Sequence, residues 1–304
     1  MRAKWIMLIL IGSIRFATAQ QNNTQPKSLT IPLKNNQTIE FIWIEPGPFL
    51  MGSPASDPLA DDNEKPQKQI RIENGFYLGR TTVTFSQFQE FALEEGYLTD
   101  AEKELRPAWR GGHGFNTDKH KFEGLFPQYT WRNPGWTQLA NYPVGNVSWN
   151  DATKFCEWLS KKSGKLVRLP TEAEWEYACR AGSTNRFFTG DDPLSLKGYA
   201  NVPDEALRVK LGEPASNGLF GFNDGYAFTA PVGQFNANAW GLQDMLGNVF
   251  EWCADEIAEP TPPKRVLRGG SYNLNIQTCR CAYRGFSKPD GRYSYTGFRV
   301  VVMP

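Results

Sequence analysis

Arg168-Leu169-Pro170-Thr171-Glu172-Ala173-Glu174-Trp175-Glu176-Tyr177 reads as the entry to a short helix. Thr171 stands three residues before Glu174, the spacing at which a threonine hydroxyl and a glutamate carboxylate satisfy each other's backbone N–H groups. Arg180-Ala181-Gly182 supplies the stop. Two more helices of the same kind are predicted upstream. One follows the capping box Thr84-Phe85-Ser86-Gln87, carries Phe88, Phe91 and Ala92 on one face, and ends at Gly96. The other runs from about Asn150 to Lys162 behind Ser148, with Ala152, Phe155, Cys156 and Leu159 as its apolar stripe.

Around these helices the chain reads as strands and loops. Ile39–Ile44 and Ile70–Leu78 read as strands, and folding is expected to start near the first of them. The acidic run Asp57–Glu64 reads as a solvated loop. From Phe187 onward, short apolar pieces such as Ala230–Phe235, Arg265–Leu267 and Gly297–Val302 alternate with Gly, Asn and Asp clusters. Short helices among many short strands, without βαβ alternation, predict an α+β domain. With 28 Gly, 21 Pro and 10 Trp in 304 residues, its rigidity must come from aromatic packing rather than long helices.

The bulk numbers exclude some functions. Thirty-three basic residues against 32 acidic ones leave a net charge of +1, so no chain-wide field favours nucleic acid or anionic lipid. Residues 1–19 have the form of an export signal: Arg2 and Lys4, the apolar run Trp5–Ile14, then Ala17-Thr18-Ala19. A polar linker from Gln20 to about Lys27 follows, and the domain is expected over residues 40–304. The mature chain is expected in the periplasm or outside the cell, as a monomer with no membrane span. In such an oxidising place five cysteines leave one thiol over, and none of Cys156, Cys179, Cys253, Cys279 and Cys281 forms a CxxC pair.

Read in order, several blocks resemble the formylglycine-generating enzyme, or sulfatase-modifying factor, family. They are Phe49-Leu50-Met51-Gly52-Ser53, Tyr142-Pro143-Val144 with Val147-Ser148-Trp149-Asn150-Asp151-Ala152, the opening stretch, Gly241-Leu242, Gly247-Asn248-Val249-Phe250-Glu251-Trp252, Arg268-Gly269-Gly270-Ser271 and Gly297-Phe298-Arg299. The resemblance implies a C-type-lectin-like domain of low regular secondary-structure content, often with bound calcium. Its members include copper oxidases that convert a sulfatase cysteine to formylglycine, iron-dependent sulfoxide synthases, a periplasmic siderophore-maturation protein and paralogues without known catalysis. Fold alone does not choose among these.

The copper oxidases carry two cysteines shortly after Arg-Gly-Gly-Ser, where paired thiolates hold Cu(I). Here the segment reads Ser271-Tyr272-Asn273-Leu274-Asn275-Ile276-Gln277-Thr278-Cys279, shorter than in the family, with leucine where the first cysteine would stand. Ser271, Cys279 and Cys281 remain as catalytic candidates. His113 and His120 read as surface-loop residues that could join a carboxylate in an iron site. For calcium, the resemblance maps one oxygen set to Asn201, Val202, Asp224 and Tyr226 and a second to Asp244, Gly247, Val249 and Glu251; the alternative for the second is a turn whose acids cap backbone amides.

The resemblance pairs Cys179 with Cys281 in a disulfide, while Cys253 with Cys279 is a geometric possibility and Cys156 a buried thiol. Ser271 and Phe250, the latter where catalytic members carry tryptophan, should lie near the groove. Two functions follow. One is oxidation or maturation of a peptide, peptide-derived metabolite or protein substrate by something other than a cysteine-pair copper site. The other is a calcium-stiffened module without catalysis that holds a protein or glycan. The segment Asp100–Thr137 is read as an insertion that shapes a binding surface or packs as a loop.

Overall fold

A computed structural model describes residues 27–103, 110–213, 222–259 and 261–304. The proposed export signal and most of the linker lie outside these residues. No helix among the described residues is long and apolar enough to cross a membrane.

Both predicted capping boxes form, and Ser148 makes a third with Asp151. Helix α1 is Phe85–Glu94, with Gln87 N–H donating to Thr84 Oγ1 at 3.2 Å and Thr84 N–H to Gln87 Oε1 at 2.9 Å. Helix α2, Trp149–Ser163, is capped by Ser148, and α3, Glu172–Arg180, by Thr171. Each cap is worth about 1 kcal/mol to its helix. A fourth helix, α4 over Glu205–Leu211, went unread in the sequence; Asp204 caps it and Gly212 ends it in a left-handed conformation.

The strands sort into two sheets and two hairpins. The larger sheet has the order β1 (Ser28–Pro32), β2 (Thr38–Ile44), β5 (Phe76–Gly79), β13 (Val301–Val302) and β8 (Val167–Arg168), all antiparallel. Strand β1 moves the start of the fold ahead of Ile39. It pairs with β2 through a turn in which Asn35 and Asn36 take φ of 53° and 59°, values asparagine tolerates and hairpins favour.

The smaller sheet has the order β11 (Gly285–Ser287), β10 (Lys264–Arg268), β9 (Phe250–Ile257) and β12 (Thr296–Gly297), with β12 parallel to β9. Hairpins join β3 (Gly47–Met51) to β4 (Lys68–Ile72) and β6 (Gly112–Asn116) to β7 (Lys121–Phe126). One segment expected to be a single strand, and one of the short apolar pieces, are therefore divided between sheets or hairpins. Ile70–Leu78 breaks at Glu73-Asn74-Gly75 into β4 and β5, and Gly297–Val302 feeds β12 and then β13. Ala230–Phe235 forms no strand.

Buried ion pairs tie these short elements together. Glu176 of α3 accepts from Gly52 N–H at 2.8 Å, Arg180 Nε at 2.9 Å and Arg268 Nη2 at 2.7 Å, and Arg268 in turn donates to the carbonyls of Cys281 and Tyr283. Glu251 of β9 accepts from Arg299 at 2.6 and 2.8 Å and from Trp175 Nε1 at 2.8 Å, while Arg299 also reaches the carbonyls of Gly79 and Asp244. The acidic loop is not simply solvated: Asp57 and Glu64 at its ends are buried against Arg186 and Arg280.

Removing one partner strands the others in a water-free core. We expect Glu176→Ala to cost about 3–5 kcal/mol, read as a fall in the urea midpoint, with Glu176→Gln costing less because it keeps acceptor capacity. A midpoint unchanged by Glu176→Ala would show that the two arginines find other partners.

Candidate functional site

Strand β10 delivers Arg268 into the core, and the chain turns at Gly269 and Gly270 with φ of 97° and 74°. A Cβ on Gly270 would lie 2.4 Å from Cys279 Sγ, so the thiol is packed directly beneath this turn. Burial pushes the Cys279 thiol up to about 12, which leaves it a poor thiolate donor at neutral pH. Ser271 is equally buried and its Oγ donates to Asn273 Oδ1 at 3.1 Å. Cys281 lies on the other side of Arg280, with its Sγ 3.6 Å from Cys179 Sγ of α3. That is a contact between free thiols, longer than the roughly 2.05 Å of a disulfide bond.

None of the three catalytic candidates opens to solvent. Cys253 and Cys279 are both buried and carry free thiols. Cys156 is buried on its helix stripe, with its thiol pushed well up by burial. Leu274 is half-buried against the same core cluster as Phe250, Tyr283 and Tyr295. Phe250 is itself buried, its ring 6.1 Å from that of Tyr283.

A cavity of about 330 Å³ lies between β6, β11 and the segment Lys288–Tyr293. Strand β11 connects it to Phe250: at Gly285 a Cβ would stand 3.5 Å from the Phe250 ring, and two residues on Ser287 lines the cavity. Tyr293 lines it too, stacked on Tyr295 at 5.1 Å, with its hydroxyl 3.2 Å from Ser287 Oγ. His113 completes this wall, its ring 4.7 Å from that of Tyr293.

His113 is thus no loop histidine. It lies on β6, fixed by Asn146, whose side chain takes its N–H at 3.1 Å and donates to its carbonyl at 2.8 Å. Burial and the Arg292 charge hold its pKa below the usual histidine value, so the imidazole is neutral at pH 7 and can accept a proton. Lys264, Lys288 and Arg292 against Asp290 make the cavity cationic. His120 instead occupies the exposed β6–β7 turn, with φ of 49°. This hairpin forms the centre of the segment read as an insertion; its Phe115 and Phe122 pack against Phe228 beside Trp136.

The oxygen-rich positions converge as two neighbouring sets. In the first, the Asp224 carboxylate accepts from Val202 N–H at 3.0 Å and Tyr226 N–H at 2.9 Å. Asn201 spends its amide N–H₂ on Phe228 and Asn248 and leaves Oδ1 buried without a partner. Asp204, which the sequence reading missed, adds a second carboxylate. It caps α4 with Oδ1 and takes Asp224 N–H with Oδ2. Its signal was present as an Asp-Glu helix start at Asp204-Glu205. Burial, together with the Asp204 charge, pushes Asp224 up to about 7.

In the second set, Asp244 Oδ2 accepts from Gly233 N–H at 2.7 Å, while Oδ1 is buried without a partner and burial pushes the group up to about 6. Gly247 backs onto the first set, since a Cβ there would lie 2.2 Å from the Asn201 carbonyl. Glu251 is already held by Arg299 and Trp175. Unpartnered oxygens beside crowded carboxylates fit a hard cation such as calcium, most fully at the first set, where Asn201, Asp224 and the Val202 and Tyr226 carbonyls would hold it. Among the described residues no three His, Cys, Asp or Glu side chains converge on one point.

Residues 27–304 match the sulfatase-modifying factor enzyme 1-like domain. The chain belongs to that family. It is 35% identical to the mouse formylglycine-generating enzyme over 334 residues, covering 95% of this chain and 82% of that one. It is 28% identical to the hercynine oxygenase of Mycobacterium tuberculosis, covering 83% of this chain and 58% of that protein. The solved structure of PvdO from Pseudomonas aeruginosa superposes with a TM-score of 0.70 at 27% identity, over 92% of this chain and all of that one. Family membership joins formylglycine-generating and oxygenase-type relatives to this α+β fold.

The burial of every cysteine has a direct readout. In protein kept reduced, we expect none of the five thiols to react with Ellman's reagent in buffer and all of them to react in guanidinium chloride. One fast-reacting thiol, mapped by mass spectrometry to Cys279, would show that this thiol is accessible for chemistry.

Proposed function

We propose that this family member is exported and acts in the maturation, by oxidation, of a peptide or peptide-derived substrate, without a paired-thiolate copper site. One observation carries this reading: an open cavity, reached along β11 two residues beyond its contact with Phe250, gathers a neutral imidazole, a phenol and a serine hydroxyl. His113 is positioned to take a proton, with Tyr293 and Ser287 as hydrogen-bond partners for the reacting group. Lys264 and Lys288 give the cavity an attraction for a carboxylate such as a peptide terminus. The oxidant would come from a redox metal or an organic cofactor, and calcium would have a structural part at the Asn201–Asp224 set.

The test compares small peptides and metabolites, by mass spectrometry, in the source cells, in a strain lacking the protein and in one carrying His113→Gln. One oxidised species should give way to its reduced precursor in both altered strains. An unchanged profile in both overturns the reading. A copper-loaded sample offered a sulfatase-type cysteine peptide should yield no formylglycine; aldehyde formation would restore the thiol mechanism.

Calcium should raise the melting temperature of chelator-treated protein, and Asp224→Asn should remove much of that gain. Because Asp224 must lose a proton held up to about 7 before it binds the ion, the gain should shrink as pH falls from about 8 to about 5. In the metal-free protein the sign reverses. A raised carboxyl stabilises the fold fully below its unfolded pKa, and that contribution is lost as pH rises through about 7. Calcium without any effect on melting at either pH would sink the cation assignment.

A further inference from the structure

A second cavity, of about 510 Å³, opens on the side of the molecule where the β3–β4 hairpin meets the C-terminal end of α3. Its floor is aromatic. The Tyr177 ring lies 5.2 Å from Phe49, inclined at 50°, and 4.8 Å from Trp240, inclined at 69°, so the three rings form a corner rather than parallel ridges. The corner is rigid: Tyr177 is buried, its hydroxyl donates to the Glu45 carbonyl at 3.1 Å, and a Cβ on Gly47 would lie 2.5 Å from that oxygen. Trp240 is only half-buried, its backbone N–H pinned by Asn238 Oδ1 at 3.0 Å.

The rim is polar but uncharged. Gln69 and Thr184 line it with side chains committed to no hydrogen bond among the described residues, and the Trp240 indole N–H is likewise unengaged. Arg180 is the one ionised side chain in the lining, and its guanidinium is spent on Glu176, Gly52 and Asn185.

Each feature narrows the ligand. An aromatic corner with a nearby carboxylate would suit a quaternary ammonium group, but no carboxylate lines this one. A polyproline helix needs parallel aromatic ridges, and these rings are steeply inclined. A purely apolar ligand would leave an amide, a hydroxyl and an indole N–H dry and unpaired. A pyranose ring has one apolar C–H face, which can lie on an indole, and a rim of hydroxyls that both donate and accept, as Gln69 and Thr184 do. We infer that this cavity is a binding site for a neutral saccharide, with Trp240 as its stacking platform. The site is separate from the His113 cavity and does not depend on the function assigned there.

The test titrates the full chain with N-acetylglucosamine, methyl glucoside and cellobiose, followed by tryptophan fluorescence and saturation-transfer NMR. At least one sugar should bind saturably, and Trp240→Ala should weaken it by about tenfold or more, the loss expected for one aromatic contact. Gln69→Ala, on an exposed strand position, should weaken it by a few fold without changing the melting temperature. It serves as the decisive variant should Trp240→Ala fail to fold. The inference is overturned if no sugar binds saturably, or if binding survives both substitutions. It is overturned equally if tetramethylammonium or an oligoproline binds at Trp240 and the sugars do not.

Discussion

Two buried carboxylates, Glu176 and Glu251, hold this fold in register. Each is fully enclosed and gripped by arginines that are themselves enclosed, Arg180 and Arg268 for the first and Arg299 for the second. Strands β8, β12 and β13 have two residues each, too few to fix their neighbours by backbone pairing alone. A guanidinium has five donors, so one side chain can bind a carboxylate and several loop carbonyls together. Arg299 does this between β9, the end of β5 and the Gln243-Asp244 turn. The free energy of such a pair is largely spent on desolvation, so its contribution lies less in net stability than in excluding other arrangements.

Aromatic packing completes what the ion pairs begin. Trp175 and Trp252 each bury an indole and place its N–H on a distant partner, Glu251 for the first and the Val147 carbonyl for the second. The same residue type therefore fills volume and carries an address. Helix α3 is where both systems meet, because Trp175 touches the Glu251 network and Glu176, one residue on, anchors the Arg268 network.

What the sequence disclosed follows from the range of the interactions involved. Thr84, Ser148 and Thr171 were legible as helix starts because a cap acts within three residues. The division of Ile70–Leu78 between two sheets was not, since apolar alternation looks the same whichever partner a strand finds, although Asn74-Gly75 marked the break. Asp57 and Glu64 read as solvent-facing because their arginines, Arg186 and Arg280, come from more than a hundred residues away. At the site, the leucine at 274 in place of a first thiol was read from the family resemblance. The inward position of Cys279 depended on Gly270 being close enough to cover it, and His113, read as a possible metal ligand, met Tyr293 only when β6 brought the two together.

The loop from Ser271 to Thr278 shows why chemistry can change on this frame while the frame persists. Arg268 before the loop and Arg280 after it carry buried ion pairs, to Glu176 and Glu64. Between them, Asn275 is exposed, Asn273, Leu274 and Gln277 are half-buried, and none of these side chains belongs to either arginine network. Shortening such a segment alters which groups it presents without breaking the ties at its ends. The wall of the His113 cavity is held independently, since Ser287 rides on β11 and Tyr293 leans on Tyr295 and His113. A copper-binding thiol pair can therefore be absent while a second set of polar groups stays in place, and selection on that set can proceed at little cost to folding.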